Sequence, residues 1–134
     1  MTTHKKVSGA FEVKMTAEPP FSEVDGVKLS RARFDKRFTG PLEGTSEVQM
    51  MAVTTPDPGK RAYVAVERIA ATLEGRAGTF CVVHIAAMSA SGPSLRIDVV
   101  DGSGTGGLAG LGGAMAIRIE PGGAHFYDFD YTLP

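Results

Sequence analysis

The residues best placed to do chemistry are Glu67 and His84. They sit in two alternating runs, 61–73 and 76–88, separated by Glu74-Gly75. That dipeptide suits a tight hairpin turn, because glycine tolerates positive φ. Such a turn sets odd positions of the first arm beside even positions of the second. Glu67 and His84 then share one side of the hairpin, directly opposite or one pair offset. Directly opposite residues have Cβ atoms about 5 Å apart, close enough for a carboxylate–imidazole hydrogen bond. Their companions on that face are Tyr63, Ala65, Ile69, Phe80, Val82 and Met88. A carboxylate in such company is costly unless paired. Burial raises its pKa, and a protonated imidazole nearby lowers it. A pair of this kind can act as general acid and base. It can equally be a satisfied buried pair that only fixes strand register.

Other side chains could hold a substrate. Arg31 or Arg33 could enter a barrel and anchor a carboxylate or enolate, although their mixed-charge strand also fits a solvated outer face. In a regular strand Arg31 and Lys36 cannot both point inward, since they differ in parity. Tyr63 could donate a hydrogen bond, while Phe80, Met88 and Tyr127 would supply apolar contacts. Tyrosines in such positions also serve as core aromatics with the hydroxyl at the rim. No metal or organic cofactor is expected. The histidines, at 4, 84 and 125, are far apart in sequence and no Cys/His cluster exists. A site of His84, His125 and Glu67 is conceivable inside a barrel but has no sequence signature. His4 falls in a stretch expected to fray. The glycine-rich stretch 102–113 lacks the Gly-Lys-Ser/Thr and the following helix that a phosphate loop requires. It reads as a loop folding back over one barrel end, anchored by Leu108 and Leu111.

The elements that must position these groups are strands. Period-two alternation marks 8–15, 27–39, 43–54, 61–73, 76–88, 93–100, 114–120 and 124–132. Ala32, Phe34 and Phe38 share a face, as do Ser46, Val48, Met50 and Ala52, and His125, Tyr127, Phe129 and Tyr131. Turn residues separate the runs, among them Asp25-Gly26, Gly40-Pro41 and Pro121-Gly122-Gly123. An eight-strand sheet of this size avoids exposed edges best by closing on itself. The expected fold is therefore all-β, a single eight-stranded antiparallel barrel over 1–134, whose interior holds at most one small ligand. The two central arms are also apolar on their other face, at Val64, Val66, Ala70, Cys81, Val83 and Ile85. An antiparallel strand with one face on a core shows polar residues on the other. That second face is expected to lie under a neighbouring subunit, as in a homo-oligomer, or under the long N-terminal loop.

Composition narrows the function classes. Lys and Arg total 14 against 15 Asp and Glu, so no basic field exists to attract nucleic acid or an anionic membrane. No window approaches the roughly 20 apolar residues of a membrane span. The N-terminus lacks the apolar stretch of a secretion signal. The lone Cys81, in an apolar run, forbids an internal disulfide. The expected location is cytoplasmic.

Several stretches resemble the DUF3224 family, a domain of unknown function. They are Leu29-Ser-Arg-Ala-Arg-Phe-Asp-Lys36, Gly40-Pro-Leu-Glu-Gly-Thr-Ser46, Ala62-Tyr-Val-Ala-Val-Glu-Arg68, Leu73-Glu-Gly-Arg-Ala-Gly-Thr-Phe80 with His84, and Gly102-Ser-Gly-Thr-Gly-Gly-Leu-Ala-Gly-Leu-Gly112. Asp101, where the family often has Pro, departs from the pattern at the loop entrance. The resemblance implies a barrel similar to allene oxide cyclase and the dirigent proteins. Those relatives bind small apolar molecules, steer cyclisation or coupling without a cofactor, and commonly form trimers. The resemblance carries no assigned catalytic residues. Two readings follow: a cofactor-independent isomerase, cyclase or lyase for a small apolar substrate, or a non-catalytic ligand-binding or assembly protein.

Overall fold

Apolar alternation becomes nine antiparallel strands in the computed structural model, which describes residues 2–134. They are β1 (Thr3–Ala17), β2 (Ser22–Val24), β3 (Val27–Phe38), β4 (Leu42–Thr54), β5 (Arg61–Leu73), β6 (Arg76–Ser89), β7 (Gly92–Val99), β8 (Gly112–Ile119) and β9 (His125–Leu133). Strands β3 to β9 pair in chain order. Long β1 closes the barrel: Thr3–Phe11 pairs with β9 and Phe11–Ala17 with β3. Eight strands thus form the closed barrel, and β2 is an extra hairpin arm on β3. The β5–β6 turn has positive φ at both central residues, Glu74 (47°) and Gly75 (86°). This is the twist-matched two-residue hairpin turn. It sets the register Glu67↔Val82 and Ala65↔His84.

One half of the barrel is solid. Phe80 stacks on Phe129 with centroids 5.7 Å apart, and Leu42, Ile69, Leu73 and Ile97 fill the space around them. The glycine-rich loop covers this end, with Leu108 and Leu111 buried as anchors. It includes a single 3-10 turn, Gly106–Leu108. Thr105 N–H donates to the Thr79 carbonyl at 2.8 Å. A Cβ on Gly78 would lie 2.0 Å from the Thr105 carbonyl oxygen, so glycine is needed for the approach. No helix among the described residues is long and apolar enough to cross a membrane.

The other half opens. Strands β7 and β8 pair only at Ile97↔Met115 and Asp98↔Ala114 and part beyond that point. Two expectations need correction. His4 does not fray: it lies in β1, pairs with Thr132 of β9 and bonds to Asp130. The N-terminal loop does not cover the outer face of β5 and β6. Glu18 and Phe21 N–H groups bond to Arg31 and Leu29 carbonyls, which holds the loop against β3. Val64, Val66 and Ile85 are left more than half exposed, at 53%, 58% and 57%.

Candidate functional site

Four polar side chains, one from each of β3, β4, β5 and β6, meet inside the barrel: Lys36, Ser46, Glu67 and His84. Strand parity brings them inward. Lys36 falls on the face of Ala32, Phe34 and Phe38, and Ser46 on the face of Val48 and Met50. The strands are antiparallel neighbours, so inward positions near one level lie side by side. Glu67 and His84 are one pair offset, and the diagonal suits their long side chains.

Glu67 is the hub. Its Oε1 accepts from His84 Nε2 at 2.7 Å and from Lys36 Nζ at 3.3 Å. Its Oε2 accepts from the Ser46 hydroxyl at 2.6 Å. The Glu67 side chain is only 1% exposed. Burial pushes its carboxyl up, but the His84 hydrogen bond, the Lys36 charge and the Ser46 hydroxyl outweigh this and hold it below the usual range. An ionised carboxylate only accepts, so His84 carries a hydrogen on Nε2, and in the neutral imidazole Nδ1 then holds the lone pair. Lys36 also lies over the Phe11 ring, 5.0 Å from its centroid.

This cluster forms part of the wall of a chamber of about 300 Å³ in the open half. Lys36, Tyr63, His84 and His125 supply the polar lining, while Phe34, Val48, Met50 and Ile117 are among the apolar wall residues. Glu67 stands behind His84 and Lys36. A vestibule of about 520 Å³ shares Met50, Tyr63, Leu95 and Ile119 with the chamber and adds Met88 and Arg61. Burial raises the Tyr63 phenol above its ordinary value. A larger groove, about 620 Å³, lies across β1, β3, β4 and β5. It is lined by charges of both signs, among them Glu12, Lys14, Asp35 and Arg68, so the mouth chamber is the better candidate.

Not every expected residue reaches the chamber. Arg31 and Arg33 project outward, where Arg31 faces Glu18 and Arg33 bonds Asp35 and Glu47. Parity gives the inward place to Lys36 instead, and the aliphatic stem of a lysine tolerates burial. Phe80 belongs to the solid half. Tyr127 is locked in the wall: its hydroxyl accepts from Leu42 N–H at 3.0 Å and donates to the Thr39 carbonyl at 2.9 Å. Tyr63 lines the chamber and Met88 the vestibule. Glu67, His84 and His125 do not converge: no group of three His, Cys, Asp or Glu among the described residues could hold a metal ion.

Fold and site together define a small antiparallel β-barrel, solid at one end, with a buried acid–base cluster beside a chamber at the other. The chain belongs to the DUF3224 family, proteins of unknown function, whose pattern it matches over residues 7–131. It is similar to the crystal structure of a protein of unknown function from the DUF3224 family of Shewanella oneidensis MR-1. The two are 42% identical, with a TM-score of 0.89 over 96% of this chain and 97% of that one. No curated protein matches the chain.

Proposed function

We propose that the barrel binds a small, largely apolar molecule in its mouth chamber and that His84, held by Glu67, moves a proton on it without a cofactor. The observation that carries this is a single arrangement: an imidazole on the wall of an apolar chamber, its far nitrogen fixed by a buried carboxylate. Carboxylate-oriented imidazoles act as general bases because tautomer and direction are set before the substrate arrives. A shaped apolar cavity also restricts a flexible ligand, which favours isomerisation or cyclisation. The implied likeness to allene oxide cyclase points the same way, at the level of fold analogy. Tyr63 would add a hydrogen-bond donor. The test is binding of the neutral fluorophore N-phenylnaphthylamine. Ala65 lines the chamber next to His84, so Ala65→Phe fills it and should abolish binding while the barrel still folds. Absence of binding to the unmodified protein, or equal binding to the variant, overturns the proposal.

A second reading, an assembly role, rests on the outer face of β5 and β6. Val64, Val66 and Ile85 form an exposed apolar stripe with Met51 at its side. Arg33 and Glu47 border it on one flank, Arg96 and Asp98 on the other. An apolar centre with a rim of both charge signs suits a second copy of the same chain. Val64→Asp should then lower the mass seen by light scattering while far-UV circular dichroism shows the chain still folded. A wild-type chain that is monomeric at all concentrations contradicts this reading.

A further inference from the structure

The polar lining of the chamber has a consistent character. Lys36 has three N–H donors and gives one to Glu67, which leaves two. The Tyr63 hydroxyl, the His125 ring and His84 Nδ1 make no hydrogen bond with another described residue. Among the described residues no buried polar side-chain atom lacks a partner, so these unpartnered atoms are not sealed in the core, and the residues that carry them line the chamber; Lys36 also lines the charged outer groove. No carboxylate or amide side chain stands on the wall. The one acid of the cluster, Glu67, is already engaged by three donors. The wall therefore offers an ammonium, a phenol and imidazoles to a ligand, and no acceptor-only group for a cationic one. A buried donor left unpaired is costly, so the complementary ligand brings an oxygen acceptor.

We infer that the chamber takes a small apolar carbonyl compound whose oxygen sits on the Lys36 ammonium, with the carbon next to the carbonyl facing His84 Nδ1. This rests on the reading of His84 as the proton-moving group. Lys36 Nζ and His84 Nε2 touch the same oxygen of Glu67, which holds the two side chains next to each other on the chamber wall. The chemistry follows from that juxtaposition. His84 Nδ1 takes the proton from the carbon beside the carbonyl. The C–H electron pair becomes a carbon–carbon double bond, and the carbonyl π pair moves onto oxygen as an enolate held by Lys36. Return of the same proton from the imidazolium to the γ carbon of a β,γ-unsaturated substrate re-forms the carbonyl and completes a double-bond isomerisation into conjugation. Nothing is oxidised or reduced and no co-reactant is needed. A preformed cation placed where charge develops, in a site partly shut from water, is the usual source of such stabilisation. Lys36 then has a direct role in the reaction that its charge alone did not reveal.

The test is displacement of bound N-phenylnaphthylamine by four molecules of one chain length: methyl hexyl ketone, octanoate, octanol and octylamine. The ketone and the carboxylate should displace the probe at concentrations at least tenfold below octylamine. Lys36→Met should erase that preference while probe binding persists. Lys36→Gln, which keeps a donor but not the charge, should retain the ketone and lose the octanoate preference. Far-UV circular dichroism verifies that each variant is folded, and if Lys36→Met is not, the Lys36→Gln result decides. Equal displacement by all four, or a preference unchanged in the folded variants, overturns the assignment of Lys36 while a ligand-binding chamber stands. Failure of the unmodified protein to bind the probe overturns the chamber reading itself.

Discussion

Replacing Glu67 by Gln tests the cluster most directly. The substitution keeps shape and removes charge. The amide can still accept from His84, but Lys36, whose side chain is only 8% exposed, loses its counter-charge. Removing one partner of a buried ion pair costs about 3–5 kcal/mol. Lys36 faces a chamber that water can enter, so the lower end, about 3 kcal/mol, applies. With a urea slope of about 2 kcal/mol per molar, the midpoint falls by about 1.5 M. The chain has no tryptophan, so far-UV circular dichroism is the probe. The dependence on pH has a fixed sign. The Glu67 carboxyl lies below its ordinary 4.5 in the fold. Its stabilisation is therefore present above that ordinary value and is lost as pH falls through the folded one. The gap between wild type and Glu67→Gln should close on acidification from 4.5 downward. Replacing Lys36, Glu67 and His84 together by Met, Met and Leu, with Ser46→Ala, should be nearly neutral or stabilising. A midpoint shift under about 0.3 M for Glu67→Gln, roughly 0.6 kcal/mol at that slope, would refute the ion-pair reasoning.

Three further outcomes follow from the fold. Gly78→Ala pushes a Cβ against the Thr105 carbonyl and should cost about 1–3 kcal/mol, with faster amide exchange at Leu108 and Leu111; unchanged exchange there would mean the loop is not held by this approach. Tyr127→Phe leaves the Leu42 N–H and Thr39 carbonyl without the hydroxyl and should cost about 1–3 kcal/mol in urea titration; a loss below about 0.5 kcal/mol would show that other groups satisfy them. Burial and the bond to Glu74 push the Tyr131 phenol from 10.0 up to about 12, so its contribution holds below 10.0 and fades between the two values. In an alkaline titration Tyr131→Phe should lose less stability over that interval than the wild type, and parallel loss would contradict this.

Much of the barrel is legible in the alternation, because a period of two leaves each strand only one choice of face. The hairpin at Glu74-Gly75 needed only a two-residue turn to set its register, and that register brought Glu67 to His84. Strand β2 was not legible: three residues give too little periodicity to stand out from a loop. Lys36 shows a different limit. Its parity with Phe34 and Phe38 placed it inside, while its charge argued for water. What settles the conflict is Glu67, on a strand two places away in the sheet and 31 residues on in the chain. A partner that arrives only when the registers of two successive hairpins line up leaves no local signal. Arg31 and Arg33 erred in the opposite direction, because a charge suited to an anionic ligand is equally suited to Glu18, Asp35 and Glu47 outside.

The two readings of the cluster, a structural pair and the proposed working one, differ in where the cluster should sit. A pair that only fixes register is best sealed, since every exposed donor competes with water and weakens the specification. The barrel has a sealed region to offer, beneath the glycine-rich loop, and it is filled by Phe80, Phe129, Leu108 and Leu111 with no ion pair among them. The polar cluster instead sits where the solid half ends and the chamber begins. Glu67 is engaged by three donors and stands off the chamber wall, while His84 and Lys36 line it and keep unpaired donor or acceptor capacity. The β7–β8 seam parts on the chamber side, which widens the route to these two side chains. A core chosen for stability alone has little reason to leave a cavity of about 300 Å³ unfilled by side chains beside a lysine and a histidine.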